Sequence, residues 1–178
     1  DVILKIDVYL CCHICMLSLT IGPMYSGKTS KLFYSFTTNV ISDKIIIDYD
    51  TGDKTTEIIT HDGHLLPCVK LNTLLDYTPN QQFIYINEAQ FFPDLVPFVL
   101  HQLSLGKMID IYGLDGDFKQ AKIGHIFELI PYCDNVTKLN GTCAMCGRPS
   151  IHTKRITNET EQIVFNEESY KPVCRLCI

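Results

Sequence analysis

Residues 22–29 read Gly22-Pro23-Met24-Tyr25-Ser26-Gly27-Lys28-Thr29. The stretch fits G-x-x-x-x-G-K-[ST], a loop whose backbone N–H groups wrap phosphates while its lysine and hydroxyl serve the outer phosphates and magnesium. It predicts that this segment binds ATP or a relative, with the Thr29 hydroxyl on the metal, rather than serving as a plain glycine turn. The flanks agree. Leu17 to Ile21 alternates and ends on an aliphatic, as a strand feeding such a loop should, and Lys31 to Val40 carries Leu32, Phe33, Phe36 and Val40 at helical spacing.

Farther out, Lys44 to Asp48 and Phe83 to Ile86 read as buried strands, with a short strand at Leu65 to Val69 between them. Pro93 to Leu105 has proline at a helix start, apolar residues at helical spacing and Gly106 as its stop. Met108 to Tyr112 reads as another strand, opening into Gly113-Leu114-Asp115-Gly116-Asp117-Phe118. This alternation predicts an α/β fold: a phosphate-loop parallel sheet with helices on both faces and ligands at the carboxyl ends of its strands. The loops at Tyr49–Lys54, Thr60–His64, Asn87-Glu88 and Gly113–Phe118 are assigned to that edge.

With 178 residues and 46% hydrophobic content, the chain suits one domain plus a small appendage. A net charge of -5, a pI near 5.6 and only three arginines, Arg148, Arg155 and Arg175, argue against nucleic acid as a partner. The apolar start, Asp1 to Cys15, is too short and too interrupted by charge to span a membrane, and it lacks the layout of a signal peptide. Residues 1–16 are set aside as an uncertain extension. Nine cysteines, several in C-x-x-C pairs without a secretory signal, read as metal ligands in a reducing, cytoplasmic setting.

Past residue 140 the chain turns to cysteines and short alternating runs, so 17–140 is read as the nucleotide-binding domain and 141–178 as a second, smaller unit. Cys143-x-x-Cys146 and Cys174-x-x-Cys177 are two thiolate knuckles that together make a closed, structural zinc site. The 27 residues between them, Gly147 to Val173, predict a long hairpin or loop tied at its base, with Ile151–Ile156 and Gln162–Phe165 as its arms. Cys12-x-x-Cys15 has no partner pair of matching spacing. A zinc ribbon that binds nucleic acid is the rival reading, but four glutamates from Glu159 to Glu168 offset most of the tail's basic residues.

The phosphate loop, Thr60-His61-Asp62, Asn87-Glu88-Ala89-Gln90-Phe91-Phe92-Pro93-Asp94, Leu114-Asp115-Gly116-x-Phe118, Thr153-Lys154-Arg155 and Val173-Cys174-Arg175-x-Cys177 follow in one order. That series resembles the type II thymidine kinases of cells and large DNA viruses, from about Leu17 to Cys177. The resemblance implies transfer of the terminal phosphoryl group of ATP to the 5'-hydroxyl of thymidine or deoxyuridine, a reaction in which the protein mainly positions reactants and neutralises charge. It implies that Glu88 is the general base and that Gly22 to Thr29 hold ATP. Phe118 would stack on the pyrimidine, with Met24, Phe91, Leu114 and Tyr170 as apolar walls and Thr153 shaping the pocket. A lasso between the knuckles would close over the base through the main chain of Glu161, Gln162, Ile163, Val164 and Phe165, anchored by zinc. It further implies a homotetramer.

Three positions depart from the family pattern. Asn87 stands where an aspartate usually helps hold magnesium, so Asp48, Asp50 or Asp115 are the candidates to compensate. Gly52 stands where an arginine is common, and Phe165-Asn166 where the lasso often has two glycines. Reduced activity or altered nucleoside choice therefore remains open. Competing readings are a monophosphate kinase, a GTPase, or a zinc-ribbon binding module with a regulatory phosphate loop. Arginine provision is poor for the first, and the second would need an N-K-x-D loop that the sequence lacks.

Overall fold

The computed structural model describes residues 16–52, 55–60 and 62–178. Residues 1–15, which include the Cys12 and Cys15 pair, lie outside these, as do Asp53, Lys54 and His61. In chain order the elements are β1 (Leu17–Gly22), α1 (Lys28–Thr38), β2 (Lys44–Tyr49), β3 (Glu57–Ile59), β4 (Leu65–Pro67), β5 (Val69–Leu71) and β6 (Phe83–Ile86). A 3-10 turn (Ala89–Phe91), α2 (Leu95–Ser104), β7 (Met108–Leu114), a second 3-10 segment (Ile126–Tyr132) and β8 (Asn135–Lys138) follow. The tail adds β9 (Gly141–Thr142), β10 (Pro149–Ser150), β11 (His152–Arg155), a 3-10 turn (Glu167–Ser169) and β12 (Tyr170–Val173).

Six strands form the main sheet in the order β5-β2-β6-β7-β1-β8, and every neighbouring pair is parallel. Successive side chains point to opposite faces, which explains the near-continuous aliphatic strands. Ile47, Ile84, Ile86, Ile109 and Ile111 join Leu95, Phe98 and Val99 of α2 in one core, whereas Ile46, Tyr85 and Tyr112 pack with Leu32 of α1 on the other face. Each fully buried side chain of this kind contributes about 1.5–3 kcal/mol. Helices thus cover both faces, as the alternation of elements predicts.

Several boundaries differ from the sequence reading. The first helix starts at Lys28 rather than Lys31 and ends before Asn39, so Val40, expected on its apolar stripe, is 96% exposed. The expected strand at Leu65–Val69 divides at Cys68: β4 pairs antiparallel with β3, while β5 joins the main sheet beside β2. Thr60 and His64 therefore close the end of a β3–β4 hairpin, Thr60 N–H donating to the His64 carbonyl at 2.9 Å. Asp94 precedes α2 without capping it. Its carboxylate instead accepts from the N–H groups of Leu74 and Leu75, both at 2.8 Å, fastening the connection from β5 to β6.

In the tail, β11 falls within the expected arm Ile151–Ile156, but its partner is β12, not Gln162–Phe165. Pairing His152 with Val173 sets the strand ladder directly beside Cys174, so one ladder supports the second knuckle. The stretch from Ile156 to Asn166 is then free to run as a loop out of that ladder.

Candidate active site

Strand β1 delivers the phosphate loop to the carboxyl rim of the sheet, and the loop opens directly into α1. Gly27, the residue before the helix, sits at φ 81, a left-handed conformation that disfavours any side chain. No side chain caps this helix start. Its first amides are thus the uncommitted donors that bind anions at helix N-termini. Lys28 is 7% exposed and its Nζ donates to the Pro23 carbonyl at 2.8 Å, spanning the loop. Burial lowers its pKa, opposed by the nearby charges of Glu88, Asp115 and Glu167.

A cleft of about 620 Å³ opens beside this loop. Met24, Tyr25, Ser26, Gly27, Lys28 and Thr29 line it, together with Asn87, Glu88, Phe91, Leu114, Phe118, Thr153, Gln162, Ile163, Val164, Phe165 and Tyr170. The fold therefore brings together most of the residues that the sequence singled out across nearly 150 positions. Among the described residues, Gly22, Pro23 and Glu161 do not line it. The Glu161 carbonyl is instead taken by the Arg155 guanidinium.

Glu88 follows β6 in a left-handed conformation, φ 49 and ψ 37. This abrupt turn takes the chain off the strand and into the 3-10 segment. Withdrawal from water raises the Glu88 pKa, an effect that outweighs the opposing attraction of Lys28 and the hydrogen bond from Gln90. Gln90, which the sequence reading left unassigned, is a brace: its Nε2 donates to Glu88 Oε2 at 2.7 Å, and its Oε1 accepts from the Leu114 N–H at 2.9 Å. Gly124 lies against the Gln90 backbone so closely that a Cβ there would meet the Gln90 carbonyl oxygen at 2.1 Å. Backbone packing thus fixes the brace, and through it the Glu88 carboxylate.

The tail closes the far side of the cleft. Thr153 Oγ1 accepts from the Met24 N–H at 3.0 Å, and Tyr25 donates to the Glu167 carbonyl at 2.9 Å, so the phosphate loop is bonded to both ends of the tail's long loop. Asp117 accepts from the N–H groups of Lys119 and Ala121 on Oδ1 and from Gln162 Nε2 at 2.9 Å on Oδ2. Arg155 is 8% exposed and gathers the loop, donating to the carbonyls of Glu159, Glu161 and Gln162 and to the Tyr170 hydroxyl. Its guanidinium also lies 3.8 Å from the Phe118 ring centre, a cation–π contact that holds that ring in place. Phe165 packs on Tyr49 and Phe91, with ring centres 6.1 and 5.1 Å away. Gln90, Arg155, Asp117 and Tyr49 escaped the sequence reading as site residues because their roles depend on long-range contacts. Gln90 and Arg155 sit in motifs, and Tyr49 and Asp117 in loops assigned to the ligand edge, but the sequence gives none of the four a role.

The four cysteines Cys143, Cys146, Cys174 and Cys177 converge, with all four sulfurs within 4.8 Å of one another. Each knuckle is closed by a backbone turn, Gly147 N–H donating to the Cys143 carbonyl four residues back and Cys177 N–H to the Cys174 carbonyl three residues back. Burial works against the Cys143 thiolate, but backbone donors, chiefly the Cys174 N–H, bring its pKa down to about 6, while its neighbours push Cys177 up to about 12. Four thiolates this close cannot all ionise without a cation among them. The donor set fits a metal with tetrahedral sulfur preference such as zinc.

A parallel sheet that feeds a G-x-x-x-x-G-K-T loop into an uncapped helix, with a lysine and a glutamate sharing the adjacent cleft, defines a phosphate-loop nucleotide-binding protein. Comparison with known proteins makes the assignment specific. A family model described as thymidine kinase matches residues 15–178. The thymidine kinase of Myxoma virus (strain Uriarra) is 34% identical over 166 residues, covering 89% of this chain and 93% of the relative. The cytosolic thymidine kinase of Gallus gallus is 33% identical over 164 residues, 88% of this chain and 73% of the relative. That of Oryza sativa subsp. japonica is 34% identical over 170 residues, 87% of this chain and 63% of the longer rice protein. The chain belongs to the thymidine kinase family. Among the described residues, no helix is long and apolar enough to cross a membrane.

Proposed function

We propose that this chain transfers the terminal phosphoryl group of ATP to the 5'-hydroxyl of thymidine, or of deoxyuridine, giving the nucleoside monophosphate. The observation that carries the reading is the shared cleft, in which Lys28 of the phosphate loop and Glu88 at the end of β6 are electrostatically coupled. The loop amides and Lys28 hold the donor phosphates. Glu88 accepts the proton of the attacking hydroxyl, and its raised pKa brings the base nearer the operating pH, where proton transfer is most effective. Phe118, whose ring is held by Arg155 and approached by Lys119, lines the cleft where the pyrimidine would stack, while Met24, Phe91, Leu114 and Tyr170 surround the nucleoside. The main chain of Gln162 to Phe165 closes over the base.

Magnesium would be held by the Thr29 hydroxyl and by the Asn87 amide oxygen, since the Asn87 Nδ2 is already committed to Asp48 at 2.9 Å. When bound, it offsets charge on the transferring phosphates. Zinc on Cys143, Cys146, Cys174 and Cys177 would serve as a structural staple, since a closed four-sulfur set leaves no position for a reactant. Domain limits of 17–140 and 141–178 accord with the change in architecture at β9.

The test is phosphate transfer from radiolabelled ATP to a panel of nucleosides, including deoxycytidine and deoxyguanosine. Thymidine monophosphate as the main product is the expected result. Nucleotide hydrolysis without transfer, or a purine nucleoside monophosphate as the main product, would refute the reading.

A further inference from the structure

Three polar side chains form a row across adjacent strands at the rim of the cleft. Asp48 of β2 pairs in register with Lys70 of β5, and Asn87 follows β6 one residue past Ile86, whose partner is Ile47. Because side chains alternate and Ile47 and Ile86 belong to the α2 core, Asp48 and Asn87 face the side of α1 and the phosphate loop. Asp48 Oδ1 accepts from Asn87 Nδ2 at 2.9 Å, and Asp48 Oδ2 pairs with Lys70 Nζ at 2.8 Å. Asp48 is 5% exposed, yet it lines the cleft together with Lys70, Asn87, Lys28 and Thr29.

Burying a carboxylate is costly unless it is paired and hydrogen-bonded, and sheet packing alone does not call for one here. Asn87 brings an oxygen donor to the cleft but no charge. Of the other two carboxylates that the sequence offers, Asp50 accepts from the Gly52 N–H at 2.8 Å and Asp115 pairs with Lys138 at 2.8 Å, and neither lines the cleft, while Glu57, Glu88, Asp117 and Glu167 line it without a hydrogen bond to Asn87 among the described residues. Asp48 both lines it and touches Asn87. We propose that Asp48 is the carboxylate that positions the divalent cation's water shell in this chain, with Asn87 bridging it to the site and Lys70 clamping it from the edge strand. Magnesium keeps several of its waters when bound with phosphates, so a carboxylate one hydrogen bond away from Asn87 acts through one of them. Outer-shell partners of this kind are worth about 10–100-fold in metal affinity.

The inference rests on the nucleotide reading of the cleft, and the experiment separates the two. Mn2+ binding is followed by electron paramagnetic resonance on the full chain, with and without a non-hydrolysable ATP analogue, alongside metal-free binding of the analogue. Asp48→Asn is expected to weaken Mn2+ in the ternary complex about tenfold or more, while metal-free affinity for the analogue stays within about twofold. The exchanged pair Asp48→Asn with Asn87→Asp keeps the charge count and is expected to recover most of the loss. It also carries the test if the single variant does not fold. Unchanged Mn2+ affinity in Asp48→Asn, or an exchanged pair about tenfold weaker than the parent, overturns the proposal alone. A parent protein that binds neither the analogue nor Mn2+ with it overturns the nucleotide reading, and the proposal with it.

Discussion

Glu88→Gln should make the protein more stable and nearly inactive, and the stability gain should depend on pH in a defined direction. Water withdrawal raises the Glu88 pKa in the folded state even though Lys28 attracts the charge and Gln90 donates to it. A carboxylate whose folded pKa lies above its unfolded value of about 4.3 destabilises the fold once ionised. Its neutral form contributes stability that is fully present below the unfolded pKa and lost as pH rises through the folded pKa. Glutamine stays neutral and keeps the 2.7 Å partnership with Gln90, so the variant avoids that loss. Relief of a strained functional group typically adds about 0.5–2 kcal/mol, and at this chain length each kcal/mol moves the melting temperature by about 2–4 °C. Melting followed by fluorescence from pH 4 to pH 8 should show parent and variant coinciding near pH 4 and the variant ahead by about 1–8 °C at pH 7.5. In the same samples phosphoryl transfer should fall by about 10²–10⁴, with binding of the ATP analogue retained. A variant no more stable than the parent at pH 7.5, or a gap that does not close toward pH 4, would refute the account of Glu88.

Three further outcomes follow from other contacts. Asn87→Asp places a second carboxylate at the 2.9 Å contact with Asp48; its melting temperature should drop in EDTA by several degrees, on the order of 1–2 kcal/mol, and recover with magnesium and nucleotide. Removing metal from the cysteine cluster by a strong chelator, or replacing Cys146 with serine, should abolish nucleoside phosphorylation and free the 156–169 loop to proteases while analogue binding to the phosphate loop persists. Phe165→Ala deletes the ring pairs with Tyr49 and Phe91; one such pair is worth about 0.5–1.5 kcal/mol, so the nucleoside KM should rise about 2–10-fold with kcat nearly unchanged, as measured by initial rates at saturating ATP.

The sequence exposed what is local and left hidden what the fold assembles. The phosphate loop, the parallel strands and the two knuckles are each written in a few neighbouring residues, because an anion nest, a buried strand and a thiolate pair all need their parts at fixed short spacing. Apolar periodicity begins only at Leu32, whereas the phosphate-binding geometry sets the first helical turn at Lys28, a residue that carries no hydrophobic signal. The Gln162–Phe165 segment has the apolar, β-branched look of a strand, but its partners are the Arg155 guanidinium and the Tyr170 hydroxyl rather than a second backbone. Gln90, which the sequence left without a role, and Asp48, which it named beside Asp50 and Asp115 without choosing among them, show the limit most clearly. Each is a common polar residue after or within a strand, and its importance comes from one hydrogen bond to a residue two positions away and another across the sheet, or from partners 22 and 39 positions distant. A motif records one position at a time, so the sequence marks Asn87 as a loss of charge and offers three carboxylates to compensate without ranking them. The sheet register places Asp48 beside it, so the carboxylate missing from one strand is present on the next.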